Sequence, residues 1–127
     1  MSREDIVQAL TQDLGNRPEI LFAYLFGSFV EGGAFRDVDV AIYLGDQAAD
    51  DLQYAIRLGA ALERLIGSPV DLVVLNKAPD HLVHHVSKGK LLLDRDPEAR
   101  EDFVARAWSR YMDYQPARQQ AVKDLFT

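Results

Sequence analysis

Leu25-Phe26-Gly27-Ser28, then eight residues, then Asp37-Val38-Asp39-Val40-Ala41-Ile42-Tyr43: this stretch decides how the chain is read. An apolar run enters a Gly-Ser turn, and a short loop leads to two carboxylates that alternate along a second apolar run. In a strand only every second side chain points the same way, so Asp37 and Asp39 share one face. Val38, Val40, Ile42 and Leu44 take the other face, into a core. Two like charges one pleat apart repel, and a fold does not need them for stability. A divalent cation is the usual reason for keeping such a pair together.

Working outward, Ile20 to Phe26 is an unbroken apolar run and reads as a strand buried on both faces. Phe29 to Gly33 reads as one short helix or a tight loop. Upstream, Ser2 caps a helix over about 3–14, with Glu4 and Asp5 in its first turn, where the helix dipole favours acids. Downstream, Asp50 or Asp51 caps a long helix whose stripe is Leu52, Ala55, Ile56, Gly59, Leu62, Leu65 and Ile66. Gly67-Ser68-Pro69 stops it, and Val70 to Leu75 is a third strand carrying one charge, Asp71. Asp80 caps a shorter helix to about Ser87, and Leu91 to Leu93 forms a fourth strand. Asp96-Pro97-Glu98 starts a helix to about Tyr114, where Pro116 breaks it, and 117–126 adds a last one. Strands alternate with helices. The expected fold is α/β (α+β): a small mixed sheet of about four strands flanked by helices, with C-terminal helices over about 97–127.

A chain of 127 residues with 48% apolar content suits one domain, 1–127, with a real core. It has no cysteine, which excludes disulfides, a thiol nucleophile and thiolate metal sites. No apolar run is long enough to span a membrane, and the N-terminus lacks a signal-peptide pattern, so a cytoplasmic protein is expected. The net charge of −6 is uneven: residues 1–76 carry −7 and residues 77–127 carry +1. An acidic front half does not suit a nucleic-acid backbone as direct partner. It does suit a site that gathers cations.

Three features carry chemistry. The Gly27-Ser28 turn can aim backbone N–H groups and a hydroxyl at a phosphate. Asp37 and Asp39 lie at one end of their strand, since the same face continues as Ala41 and Tyr43. Asp71 is the lone carboxylate of an otherwise apolar strand, costly to bury unless paired or metal-bound; the plainer alternative is a strand mouth still touching water. If the third strand lies beside the second, the three carboxylates converge as oxygen donors for Mg2+. His81, His84 and His85 share one helix face, read as a partly exposed surface rather than a second metal site. Trp108, Tyr111 and Tyr114 leave an aromatic edge for a partner.

Phe26-Gly27-Ser28, a loop and Asp37-Val38-Asp39 resemble the nucleotidyltransferase signature of the DNA polymerase β superfamily. Asp71-Leu72-Val73-Val74-Leu75-Asn76-Lys77-Ala78-Pro79 is similar to the third-carboxylate strand of its minimal members. Together with Gly89-Lys90-Leu91-Leu92-Leu93-Asp94-Arg95-Asp96, these stretches resemble the MntA-type antitoxins over about residues 20–115. The resemblance implies Mg2+-dependent transfer of AMP from ATP to a tyrosine of a partner HEPN RNase toxin, which is silenced, within a hetero-oligomer of the two. It implies that Gly27 and Ser28 hold the triphosphate and that Asp37, Asp39 and Asp71 are catalytic metal ligands, Asp71 beside the attacking hydroxyl. The family usually has an arginine three residues after the motif serine, where this chain has Glu31. Arg36 and Lys77 are the candidates for the nucleotide-facing cation. A second reading is a catalytically weak module that neutralises its partner by binding alone.

Overall fold

The apolar run opening the signature becomes the centre of the sheet. In the computed structural model, which describes residues 1–45 and 51–125 (backbone alone for 51 and 114–124), Ile20–Phe26 is strand β1. Every residue of it except Leu21 is buried, as a strand flanked on both sides and covered on both faces requires. Val38–Leu44 (β2) and Lys90–Asp94 (β4) pair antiparallel to β1 on either side, and Val70–Val74 (β3) pairs parallel to β2. The four-stranded mixed sheet has the order β3-β2-β1-β4.

Period-two alternation in β2 divides the molecule into two cores. Val38, Val40, Ile42 and Leu44 enter one face, under helix α1 (Arg3–Gly15), the single turn α2 (Ser28–Glu31) and helix α3 (Asp51–Ile66). Ala41 and Tyr43 face the other core, with Phe22, Tyr24 and Phe26, beneath helices α4 (Asp80–Ser87) and α5 (Pro97–Leu125). The expected architecture is the observed one. No helix among the described residues is long and apolar enough to cross a membrane.

Several local readings shift. Helix α1 has the expected Ser2 cap, closed into a capping box by Asp5, but it runs through Gly15 and ends on Asn16. The buried stripe of α3 is Leu58, Leu62 and Ile66; Leu52 and Ile56 are 73% and 64% exposed. Helix α3 covers an edge strand, so the residues on its outer side overhang the sheet and line a shallow groove with Val70 and Leu72. The α3 cap and Asp46 lie outside the described residues. Leu75 leaves β3 for a short 3-10 turn, Leu75–Lys77.

Pro79, not Asp80, stands at the cap of α4 and makes no side-chain cap bond; Asp80 is the first helical residue and accepts three hydrogen bonds of 2.9 to 3.1 Å from Arg110 of α5. Asp96 caps α5 as expected, accepting from the Ala99 N–H. That helix continues past Pro116 to Leu125. An interior proline loses one N–H bond and crowds the carbonyl four residues back, a cost of about 3 kcal/mol, and the helix carries it. Phe126 lies outside the described residues. Trp108 and Tyr111 are not a free aromatic edge: both rings pack on His84 of α4, at 4.1 and 4.5 Å, and the Trp108 indole donates to Ser87 Oγ at 2.8 Å.

Candidate active site

The parallel pairing of β2 with β3 sets Asp39 directly opposite Asp71. Two positions on, Ala41 pairs with Val73, and both belong to the core under α4 and α5, so Asp39 and Asp71 share that face. Asp37 stands one residue before β2 and is exposed, as is Asp71; Asp39 is half-buried. Burial, then the negative charges of Asp71 and Asp37, push the Asp39 carboxyl above its ordinary value, while His85 pulls it the other way. A carboxylate whose pKa is raised by its neighbours is held beside them against their repulsion.

The Gly-Ser turn lies against this carboxylate. β1 ends with Phe26 paired to Asp39, and Gly27 turns away with φ +78. A Cβ on Gly27 would lie 2.1 Å from Asp39 Oδ2, so only glycine lets the turn approach so closely. The exposed Ser28 opens α2, and the Val30 and Glu31 amides both return to the Gly27 carbonyl, which closes the turn.

These residues fit a cation supplied with a nucleotide. Among the described residues no three His, Cys, Asp or Glu side chains are grouped closely enough to hold a metal by themselves. Magnesium does not require such a cage, since it commonly takes one or two carboxylates and completes its shell with substrate phosphates and water. The paired Asp39 and Asp71 are the carboxylates that would contribute to such a shell, with Asp37 one residue before β2.

Of the two candidate cations, Arg36 precedes Asp37 in the loop, exposed and without an ion pair among the described residues. Lys77 goes elsewhere. The register Ile42 with Val74 carries β3 away from Asp71, and the next residue but one, Asn76, is tied to Leu44 at the far end of β2. Lys77 is therefore dropped as a nucleotide-facing residue.

Two residues given no part in the site by the sequence reading, Arg3 and His85, contact the elements that form it. Arg3 stacks its guanidinium over Phe29 and Phe35, 5.0 and 4.8 Å from the ring centroids, and donates to the Phe29 and Gly33 carbonyls. It thereby holds the loop joining the Gly-Ser turn to Asp37. A signal was available, because a cation in the first turn of a helix opposes the dipole and so has another purpose. His85 is the other: its ring stands edge-to-face on Phe26 at 5.8 Å. The three histidines form no metal site, since His84 packs on α5 while His85 turns to β1.

A sheet with a glycine turn at the end of one strand and acids opposite one another on the next two defines a nucleotidyltransferase. Residues 8–98 match the family model described as polymerase beta, nucleotidyltransferase, and the chain belongs to that family. Among its relatives is the protein adenylyltransferase MntA of Shewanella oneidensis, 34% identical over 115 residues that cover 87% of this chain and 79% of the relative. Two solved structures extend the likeness. One is a tri-AMPylated Shewanella oneidensis HEPN toxin in complex with its MNT antitoxin, matched at a TM-score of 0.74 and 26% identity over 99% of this chain and 100% of that one. The other is a toxin–antitoxin complex with AMP-PNP, matched at a TM-score of 0.73 and 29% identity over the whole of both chains.

Proposed function

We propose that this chain is the antitoxin of a toxin–antitoxin pair. Acting as one domain over 1–127 in the cytoplasm, it transfers AMP from ATP to a tyrosine of a HEPN RNase toxin, with which it forms a hetero-oligomer. The observation that carries the reading is the placement of Gly27 directly against Asp39, with Asp71 beside it. A glycine turn and a carboxylate pair then meet at one point. The MntA relative and the AMPylated HEPN complex supply the class of donor and acceptor.

In this reading Gly27 and Ser28 hold the triphosphate, with Arg36 on its exposed side. Asp37, Asp39 and Asp71 would hold Mg2+, which would supply Lewis-acid charge to the phosphates. Asp71 lies on the edge strand, where an acceptor from another protein can reach it, and it takes the proton of the tyrosine hydroxyl. The phenolate oxygen bonds to the α-phosphorus, the bond from that phosphorus to the bridging oxygen breaks, and pyrophosphate leaves. The exposed carboxylates leave the face open until nucleotide and partner close it.

The test is intact-mass spectrometry of the partner toxin after incubation with this protein, ATP and Mg2+. The expected result is a gain equal to one or more AMP groups, absent with Asp39→Asn. A toxin silenced by stoichiometric complex with no gain in mass would establish the binding-only module instead.

A further inference from the structure

We propose that His85 contacts the substrate, donating a hydrogen bond from its imidazole to the phosphate chain of a nucleotide seated over Asp39 and Asp71. This rests on the nucleotidyltransferase reading above and adds a residue to it. His85 lies near the C-terminal end of α4, exposed, with its ring edge-to-face on Phe26, the residue paired with Asp39. The ring forms no hydrogen bond among the described residues, so a ring N–H is free to donate. Its seat on Phe26, which pairs with Asp39 and packs on the same face of the sheet, brings the ring to the end of the sheet where the carboxylates lie.

The position is rigid. Arg110 clamps Asp80 at the start of α4, and Trp108 binds Ser87 at its end. Beyond that end Gly89 presses on β1, where a Cβ would come within 2.2 Å of the Leu25 carbonyl oxygen. The ring is therefore delivered by an anchored helix, as precise placement of a substrate contact requires.

Few other donors reach this end of the sheet. Arg3 is engaged with the Phe29 and Gly33 carbonyls, and Lys77 lies at the opposite end. Lys90 pairs with Leu25, whose side chain enters the other core.

The experiment is calorimetric titration of the purified protein with AMP-PNP and Mg2+, comparing wild type with His85→Ala, His85→Gln and His85→Phe, and with His81→Ala as a control on the same helix. A lost hydrogen bond to a charged group weakens binding by about tenfold or more. His85→Ala and His85→Phe are expected to show that loss with an unchanged melting temperature, while His85→Gln, which keeps a donor, stays within about threefold of wild type. Wild-type affinity in His85→Ala overturns the proposal. So does rescue by phenylalanine and not glutamine, since ring stacking would then be the contact. A wild type that binds AMP-PNP but modifies no toxin refutes the adenylyl-transfer reading and leaves this one standing; a wild type that binds no nucleotide refutes both.

Discussion

Strands β2 and β3 run side by side, and their two ends are built on opposite principles. Where they start, Asp39 faces Asp71 across the parallel pair, Asp37 stands alongside, and a positive-φ glycine closes on them. Where they finish, most polar groups have partners within the fold. The Asn76 side chain accepts from the Leu44 N–H at 2.9 Å and donates to the Leu44 carbonyl at 2.8 Å. Glu19 accepts from the Gly45 amide through its carbonyl and from Tyr54 through its carboxylate, at 2.9 and 2.6 Å. Arg95 donates to the Ile20 and Gly15 carbonyls at 2.9 and 2.5 Å. One end pairs its polar groups within the fold, the buried Asp94 Oδ1 excepted; the other leaves chemistry unsatisfied until a ligand supplies it. The separation lets the fold carry three repelling acids without loosening, because the distant end secures the strand ladder.

Substitutions can break this contrast, and the largest effects fall at the charged end. Asp39→Asn is expected to lower AMP transfer by about 10² to 10³, the scale for losing one aimed electrostatic group, as measured by initial rates of AMP incorporation. The same change is expected to raise the melting temperature of the metal-free protein at pH 7. The folded-state pKa of Asp39 lies above its unfolded value, so its ionised form opposes folding at higher pH. The gain should shrink as the pH falls through the folded pKa towards the unfolded one. Gly27→Ala combines a strained φ with a clash on Asp39, and about a hundredfold loss of transfer is expected in the same assay.

The far end should respond in stability instead. Asn76→Ala removes two hydrogen bonds and leaves the Leu44 groups without them, a cost of about 2 kcal/mol in urea unfolding, with transfer per folded molecule unchanged. Arg3→Ala sharpens the comparison because it releases the loop between the two site segments. A loss of about 1 kcal/mol is expected, with a raised KM for ATP and little change in kcat. Smallest of all, Lys77→Ala should stay within about 0.5 kcal/mol of wild type and leave the KM for ATP where it was. A rise in that KM would return Lys77 to the site.

The contrast was half legible in the chain. Period-two alternation in Val38–Leu44 and the unbroken run Ile20–Phe26 are local signals, and they specified the central strands and the face that Asp39 occupies. Asp71 was found because a charge in an apolar run is an anomaly whatever the fold. Pairing was not legible, since strand register is set by distant residues. Lys77 therefore looked near to Asp71 in sequence while the strand carried it away. Arg3 and His85 escaped for the same reason: each acts on a segment more than twenty residues distant. The stripe of α3 was misjudged because its partner is an edge strand, which covers less of the helix than periodicity assumes.

The most direct test sets the two ends against each other in one assay. Asp71→Asn and Asn76→Ala are each mixed with the partner toxin, ATP and Mg2+ at a temperature where both variants are folded, and AMP incorporation is followed with labelled ATP. The two-ended account predicts that Asp71→Asn loses transfer by about 10² or more while Asn76→Ala keeps the wild-type rate. Undiminished transfer by Asp71→Asn, or its loss in Asn76→Ala, would contradict it.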